Sequence, residues 1–166
     1  MSTYYYKTEQ LLPIDIATAW DFFSSAKNLV LITPPELDFQ ILTELNGQEI
    51  YEGMLINYTV KPLFGIPLRW ETEICKVQKP LFFTDKQLKG PYKLWEHTHT
   101  YKEVDHGILM QDEVKYQLPF GVIGDLAHIL IVKKKVEKIF SFRKQVLEYM
   151  FTGTVGTQNE KNSSNN

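Results

Sequence analysis

Hydrophobic and polar residues alternate in short runs along most of this chain, then change to a helical period near its end. Residues 3–12 alternate, are rich in Tyr and stop at Pro13, which predicts a first strand. Asp15 is placed to cap a short helix from Ile16 to about Ser25 that carries Trp20, Phe22 and Phe23. The apolar run 28–32 meets Pro34 and Pro35, which cannot continue a helix, so the chain is expected to turn there. A second strand is predicted over 37–45 and a third over roughly 50–60, with Asn46-Gly47 as a hairpin signal between them. Four more strands follow at 68–78, 81–88, 92–102 and 108–118, separated by Lys79-Pro80, Lys89-Gly90-Pro91 and Asp105-His106-Gly107. From about Asp125 to Phe151 the apolar positions fall on a single helical stripe: Leu126, Ile129, Val132, Val136, Ile139, Phe140, Val146, Leu147 and Met150. Residues 152–166 form a polar tail expected to be disordered.

This order predicts an α+β domain over 1–151 with an antiparallel sheet of about seven strands. The final helix, at about 39 Å, is long enough to lie across the concave face of a strongly curved sheet. The loop 62–67 is apolar as well as rich in Pro and Gly. It fits a segment folded under the core or a lip over a ligand site equally well.

Composition narrows the function classes. A length of 166 residues fits one domain. The aromatic share of 13%, with nine Tyr and ten Phe, points to large internal volumes or a cavity to line. A net charge of −2 disfavours nucleic acid as a partner. Cys75 is the only cysteine, so a disulfide framework or a CxxC metal site within one chain is excluded and a reducing compartment is expected. The first residues carry no apolar signal core, and no stretch approaches 18 apolar residues, so the expected location is cytoplasmic with no integral membrane segment.

Several stretches carry a family likeness. They are Trp20-Asp-Phe-Phe23 with Asn28-Leu29 and Thr33-Pro34-Pro35, and Gly90-Pro91-Tyr92-x-x-Trp95-x-His97-x-His99-x-Tyr101. Asp112-x-Val114-x-Tyr116-x-x-Pro119-x-Gly121 and Phe140-x-Phe142-Arg143 complete the set. With these, residues 3–150 resemble the START-like superfamily, also called SRPBCC, which includes polyketide cyclases/dehydrases, lipid-transfer domains and the birch-pollen-allergen fold. The resemblance is strongest to bacterial members described only as ligand-binding or cyclase/dehydrase-like. It implies a helix-grip fold with a cavity between sheet and long helix, and a cavity without metal or cofactor. It does not imply a reaction, because the fold hosts carriers, receptors, co-chaperones and enzymes.

The strands then supply candidate chemistry. Period two puts Trp95, His97, His99 and Tyr101 on one face of their strand, and Met110, Asp112, Val114 and Tyr116 on one face of the next. A turn centred on Asp105-His106 would set His99 opposite Asp112, His97 opposite Val114 and Trp95 opposite Tyr116. A buried carboxylate needs a partner, and a cross-strand imidazole is a suitable one. Four readings of the pair follow. It could be polar points in a ligand pocket, a self-satisfied polar patch, a catalytic dyad with Tyr116 nearby, or a His-x-His metal site completed by Asp112. Arg143 falls within the apolar stripe of the helix. A structural ion pair is its first reading, and an anchor for an anionic ligand is its second.

The expected function is binding or carriage of a small hydrophobic ligand such as a lipid, isoprenoid or aromatic polyketide. The expected lining is Met54, Ile56, Tyr58, Trp70, Trp95, His97, His99, Asp112, Val114, Tyr116, Ile129, Val136, Phe140 and Arg143. The alternatives are a cyclase/dehydrase-type enzyme using His99, Asp112 and Tyr116, and a co-chaperone-like domain that binds protein. Lys133-Lys134-Lys135 reads as a solvated face, Cys75 lacks a visible base, and Gly121-x-x-Gly124 lacks the rest of a phosphate loop. Protein partners and oligomeric state are left open.

Overall fold

The computed structural model describes residues 2–62, 65–121, 123, 126 and 131–153. In chain order the elements are β1 (Tyr4–Leu12), α1 (Ile16–Phe23), two 3₁₀ turns (Ala26–Val30 and Pro35–Leu37), β2 (Gln40–Ile41), β3 (Leu55–Val60), β4 (Leu68–Gln78), β5 (Phe82–Lys89), β6 (Leu94–Val104), β7 (Gly107–Gln117) and α2 (Lys133–Thr152). The strands form one seven-stranded sheet in the order β1-β7-β6-β5-β4-β3-β2. Every neighbouring pair is antiparallel. This is the predicted α+β architecture.

Local chemistry sets the ends of the elements. The Asp15 carboxylate accepts the Thr18 backbone N–H and the Thr18 hydroxyl, each at 2.8 Å, and so caps α1. Register shifts between Glu71 and Thr72 and between Ile74 and Lys76 interrupt the β4–β5 ladder, a feature that bends and twists a sheet. The β6–β7 hairpin turns on Asp105-His106, with Val104 paired to Gly107. Gly107 has φ +139°, and a Cβ there would meet the Leu12 carbonyl oxygen at 2.1 Å, so only glycine fits where β7 begins against the end of β1. Gly153, at φ +70°, ends α2 in the left-handed conformation, one residue after Thr152.

The helix grips the sheet by one stripe. Val136, Phe140, Arg143 and Leu147 are its buried residues, spaced at helical intervals. Leu147 packs into a core with Trp20, Tyr101, Ile108 and Met110. Val136 and Phe140 join Val114, Tyr116 and Leu118 in a second core beside β1 and β7.

The structure departs from the expected elements in several places. The second strand, expected over 37–45, reduces to Gln40–Ile41, paired with Thr59 and Tyr58; beyond it Leu42 and Thr43 both donate to the one Asn57 carbonyl, which breaks the regular ladder. Asn46-Gly47 does make a tight turn, with the Gln48 N–H donating to the Leu45 carbonyl. It does not join two paired strands. Beyond it, Ile50 donates to the Ser24 carbonyl at the end of α1, and Ile50 and Met54 are drawn into the core, so β3 starts only at Leu55. The expected helix start near Asp125 lies outside the described residues, which show the helix over Lys133–Thr152; of the tail expected over 152–166, Thr152 is helical and Gly153 caps the helix, and the rest lies outside the described residues. None of the described helices is long and apolar enough to cross a membrane.

Candidate functional site

A cavity of about 200 Å³ lies between the inner face of the sheet, the 3₁₀ segment after α1, and α2. Of the residues expected to line it, Ile56 and Tyr58 of β3, Trp70 of β4, and Trp95, His97 and His99 of β6 do so. Val136, Phe140 and Arg143 of α2 close the opposite side. The other expected residues lie elsewhere. Met54 belongs to the first core. Val114 and Tyr116 belong to the second, with the Tyr116 ring 5.7 to 5.9 Å from those of Tyr4, Trp95 and Tyr92. They leave the cavity wall because the near end of α2 packs directly onto that part of β7. Asp112 lies off the wall, in contact with the two imidazoles, and Ile129 is outside the described residues.

The polar part of the wall is a compact cluster. The β6–β7 register places His99 opposite Asp112, His97 opposite Val114 and Trp95 opposite Tyr116, as the two-residue turn requires. Asp112 is 2% exposed. Its Oδ1 lies 2.8 Å from His97 Nε2 and 3.0 Å from His99 Nδ1. Asp85 of β5 approaches from the other side. Its Oδ2 lies 3.2 Å from His99 Nε2 and 3.7 Å from His97 Nδ1. The two imidazoles overlap at a centroid distance of 3.7 Å, and the Phe83 ring stacks on His99 at 4.2 Å. Arg143 closes the group, with Nη1 3.7 Å from Asp112 Oδ1 and its guanidinium carbon 4.9 Å from the centre of the Phe140 ring.

The electrostatics follow from this geometry. Burial, and then the neighbouring His99, push the His97 pKa down despite its bond to Asp112. Burial would lower His99 too, but its hydrogen bonds to Asp112 and Asp85 win and its pKa is raised. Burial would raise Asp112. The imidazole hydrogen bonds overcome it and hold that carboxyl well below the usual carboxylate range. Tyr58 and Tyr92 on the wall have phenols pushed far up by burial, so they stay neutral donors. Arg143 Nε and Trp70 Nε1 are buried without a hydrogen-bond partner among the described residues.

Asp85 was absent from the expected set. Its signal was present in the sequence, because Phe83, Asp85 and Gln87 share one face of β5 and the first of them is plainly apolar. The end of α1 supplies Phe23 to the wall, and the 3₁₀ segment and the residues just after it supply Leu29 and Ile32, which no alternation could announce. In the apolar loop, Pro62 lines the cavity and Ile66 is exposed, while residues 63 and 64 are outside the described residues.

No protein-family model matches the chain, and no curated protein matches it. Solved structures do. A START superfamily protein from Mycobacterium smegmatis superposes with a TM-score of 0.64 at 14% identity, covering 91% of this chain and 97% of that one. Ginseng major latex-like protein 151 from Panax ginseng gives 0.65 at 12% identity, covering 90% and 97%. Ara h 8.0201 gives 0.55 at 13%, covering 88% and 98%. At such identities the likeness is one of fold.

Proposed function

From the premise that this chain has the helix-grip fold of the START-like superfamily, we propose that it binds a small, largely apolar ligand in the cavity, with an acceptor or anionic group turned toward Arg143. The observation that carries the reading is an apolar enclosure whose wall holds buried donors without a partner among the described residues, at Arg143 Nε and Trp70 Nε1. A buried donor without an acceptor costs about 1–3 kcal/mol, and a ligand acceptor would recover that. The volume bounds the ligand. An engineered cavity of about 150 Å³ holds benzene, whereas drug-sized ligands occupy about 300–1,000 Å³. At about 200 Å³ the cavity suits a one-ring or short-chain acid as it stands. A lipid, isoprenoid or aromatic polyketide requires the 3₁₀ segment to move outward. The proposed location is the cytoplasm, which the single free thiol of Cys75 supports.

The test is native mass spectrometry of the protein purified from its own cells, together with fluorescence titration by small aromatic acids. Trp70 and Trp95 line the cavity and Trp20 does not, so a Trp20→Phe variant reports the cavity alone. Saturable quenching that Arg143→Met weakens supports the reading. Failure to bind small acids, larger apolar probes or any native compound sinks it.

A second reading, turnover of the cyclase/dehydrase kind, is favoured by His99 lying between two carboxylates on the cavity wall. In that reading His99 exchanges the proton and Asp112 orients it. Tyr116, which packs in the second core and does not line the cavity, has no role in this reading. Chemical change in an identified ligand, abolished by His99→Gln, would establish it.

A further inference from the structure

We infer that Asp85, His97 and His99 form a binding site for one divalent transition-metal ion on the cavity wall. Asp85 Oδ2, His97 Nδ1 and His99 Nε2 all lie within 4.8 Å of one another. Two of the three separations are 3.2 and 3.7 Å. A tetrahedral ion with bonds of about 2.0–2.1 Å needs its ligand atoms about 3.3 Å apart, so small side-chain rotations suffice. All three residues line the cavity, which leaves the remaining coordination position to a ligand or water.

The atoms behind the site make the stronger argument. A carboxylate only accepts, so the ring nitrogens facing Asp112 Oδ1, Nε2 of His97 and Nδ1 of His99, carry the protons. In the neutral form of each ring the opposite nitrogen is then a lone-pair donor facing Asp85. Once the His99 Nε2 proton that bonds Asp85 is displaced, two lone pairs and a carboxylate converge on one point. This is the carboxylate–histidine–metal arrangement, with one buried aspartate holding both ligating rings. The spacing His-x-His suggested Asp112 as the third ligand. The structure instead puts Asp112 on the far side of the rings and brings in Asp85 from β5.

Charge points the same way. With neutral imidazoles, Asp85 and Asp112 exceed Arg143 by one negative charge in a buried cluster. A divalent ion turns this to one positive charge, which an anionic ligand group or hydroxide at the open position would balance. Two imidazoles and one carboxylate suit zinc, iron(II), cobalt(II) or nickel(II) rather than magnesium or calcium. The competing occupant is a proton on His99 Nε2, bonded to Asp85.

The experiment uses the full chain stripped with chelator and titrated with Co²⁺ and Zn²⁺, followed by Co²⁺ absorption and calorimetry. The expected result is one ion per chain. Asp85→Asn and His99→Gln should each weaken binding at least about tenfold, and Asp112→Asn, which spares the ligands, about 10–100-fold. His106→Gln should leave it unchanged. Because variants can misfold, the unmutated protein gives an independent reading: Co²⁺ should shift the imidazole resonances of His97 and His99 and leave those of His106. Absence of stoichiometric binding, or binding that leaves His97 and His99 unshifted, overturns the proposal. The readout needs no apolar ligand, so its failure and that of the ligand-binding reading are separable.

Discussion

Asp112→Asn in metal-stripped protein isolates the charge at the centre of the cluster, since the substitution keeps side-chain volume and one oxygen. Arg143 is 7% exposed, and Asp112 is the carboxylate in contact with it. Attraction at 3.7 Å is about 4 kcal/mol at an effective dielectric of about 20. After the substitution the guanidinium keeps the Phe140 face, worth about 0.5–2 kcal/mol. Leaving a buried charge unpaired is expected to cost about 3–5 kcal/mol. The reverse change is milder. Arg143→Met removes the cation but leaves Asp112 with both imidazoles at 2.8 and 3.0 Å, and fills the same space with an apolar chain. Its expected cost is below about 2 kcal/mol. In the double variant no cation is stranded, so Asp112→Asn should be far less damaging there. Urea unfolding of the four proteins, with chelator throughout, measures the cycle. The reasoning fails if Asp112→Asn costs less than about 1 kcal/mol, or costs the same with and without Arg143.

Other outcomes follow from the same contacts. Leu147→Ala, at a position with no exposed surface in the first core, should lose about 2–5 kcal/mol by urea unfolding. Gly107→Ala should lose at least about 1–3 kcal/mol, because neither φ +139° nor the Leu12 carbonyl admits a Cβ; wild-type stability would contradict the close approach. Burial raises the phenols of Tyr58, Tyr92, Tyr101 and Tyr116, the last to about 12. The folded state therefore holds protons that the unfolded chain releases near pH 10, so stability should be intact below pH 10 and fall as pH rises toward 12. Tyrosinate absorbance and circular dichroism should then change together. Early ionisation of all tyrosines without unfolding would refute that burial.

The parts of this protein that were readable from its sequence are those governed by a local period. Alternation over 92–118 with a two-residue turn fixed which side chains face inward and which residue of β6 meets which residue of β7, and that brought His99 to Asp112. The stripe on α2 likewise placed Val136, Phe140 and Arg143. Where a long-range contact overrides local preference, the pattern misleads. Asn46-Gly47 turns as expected, yet the residues after it serve the core around α1 and not a hairpin. Asp85 went unassigned because a carboxylate on an inward face reads as an exception until its partners on the next strand are known. Tyr116 and Val114 face inward correctly but lie under the helix, and a strand's period cannot tell cavity from contact.

The first strand pairs along the last, from Tyr4 with Tyr116 to Leu12 with Ile108. For a chain made from its N-terminus, this has a consequence in time. β1 waits with both edges unpaired while the intervening sheet is synthesised, and the pairing must close nearly the whole length of the sheet. The cavity waits longer still, since its far wall is Val136, Phe140 and Arg143. A nascent chain therefore cannot retain a ligand until α2 has left the ribosome and docked. On the binding reading, occupancy depends on the docked helix and so distinguishes folded molecules from partly folded ones.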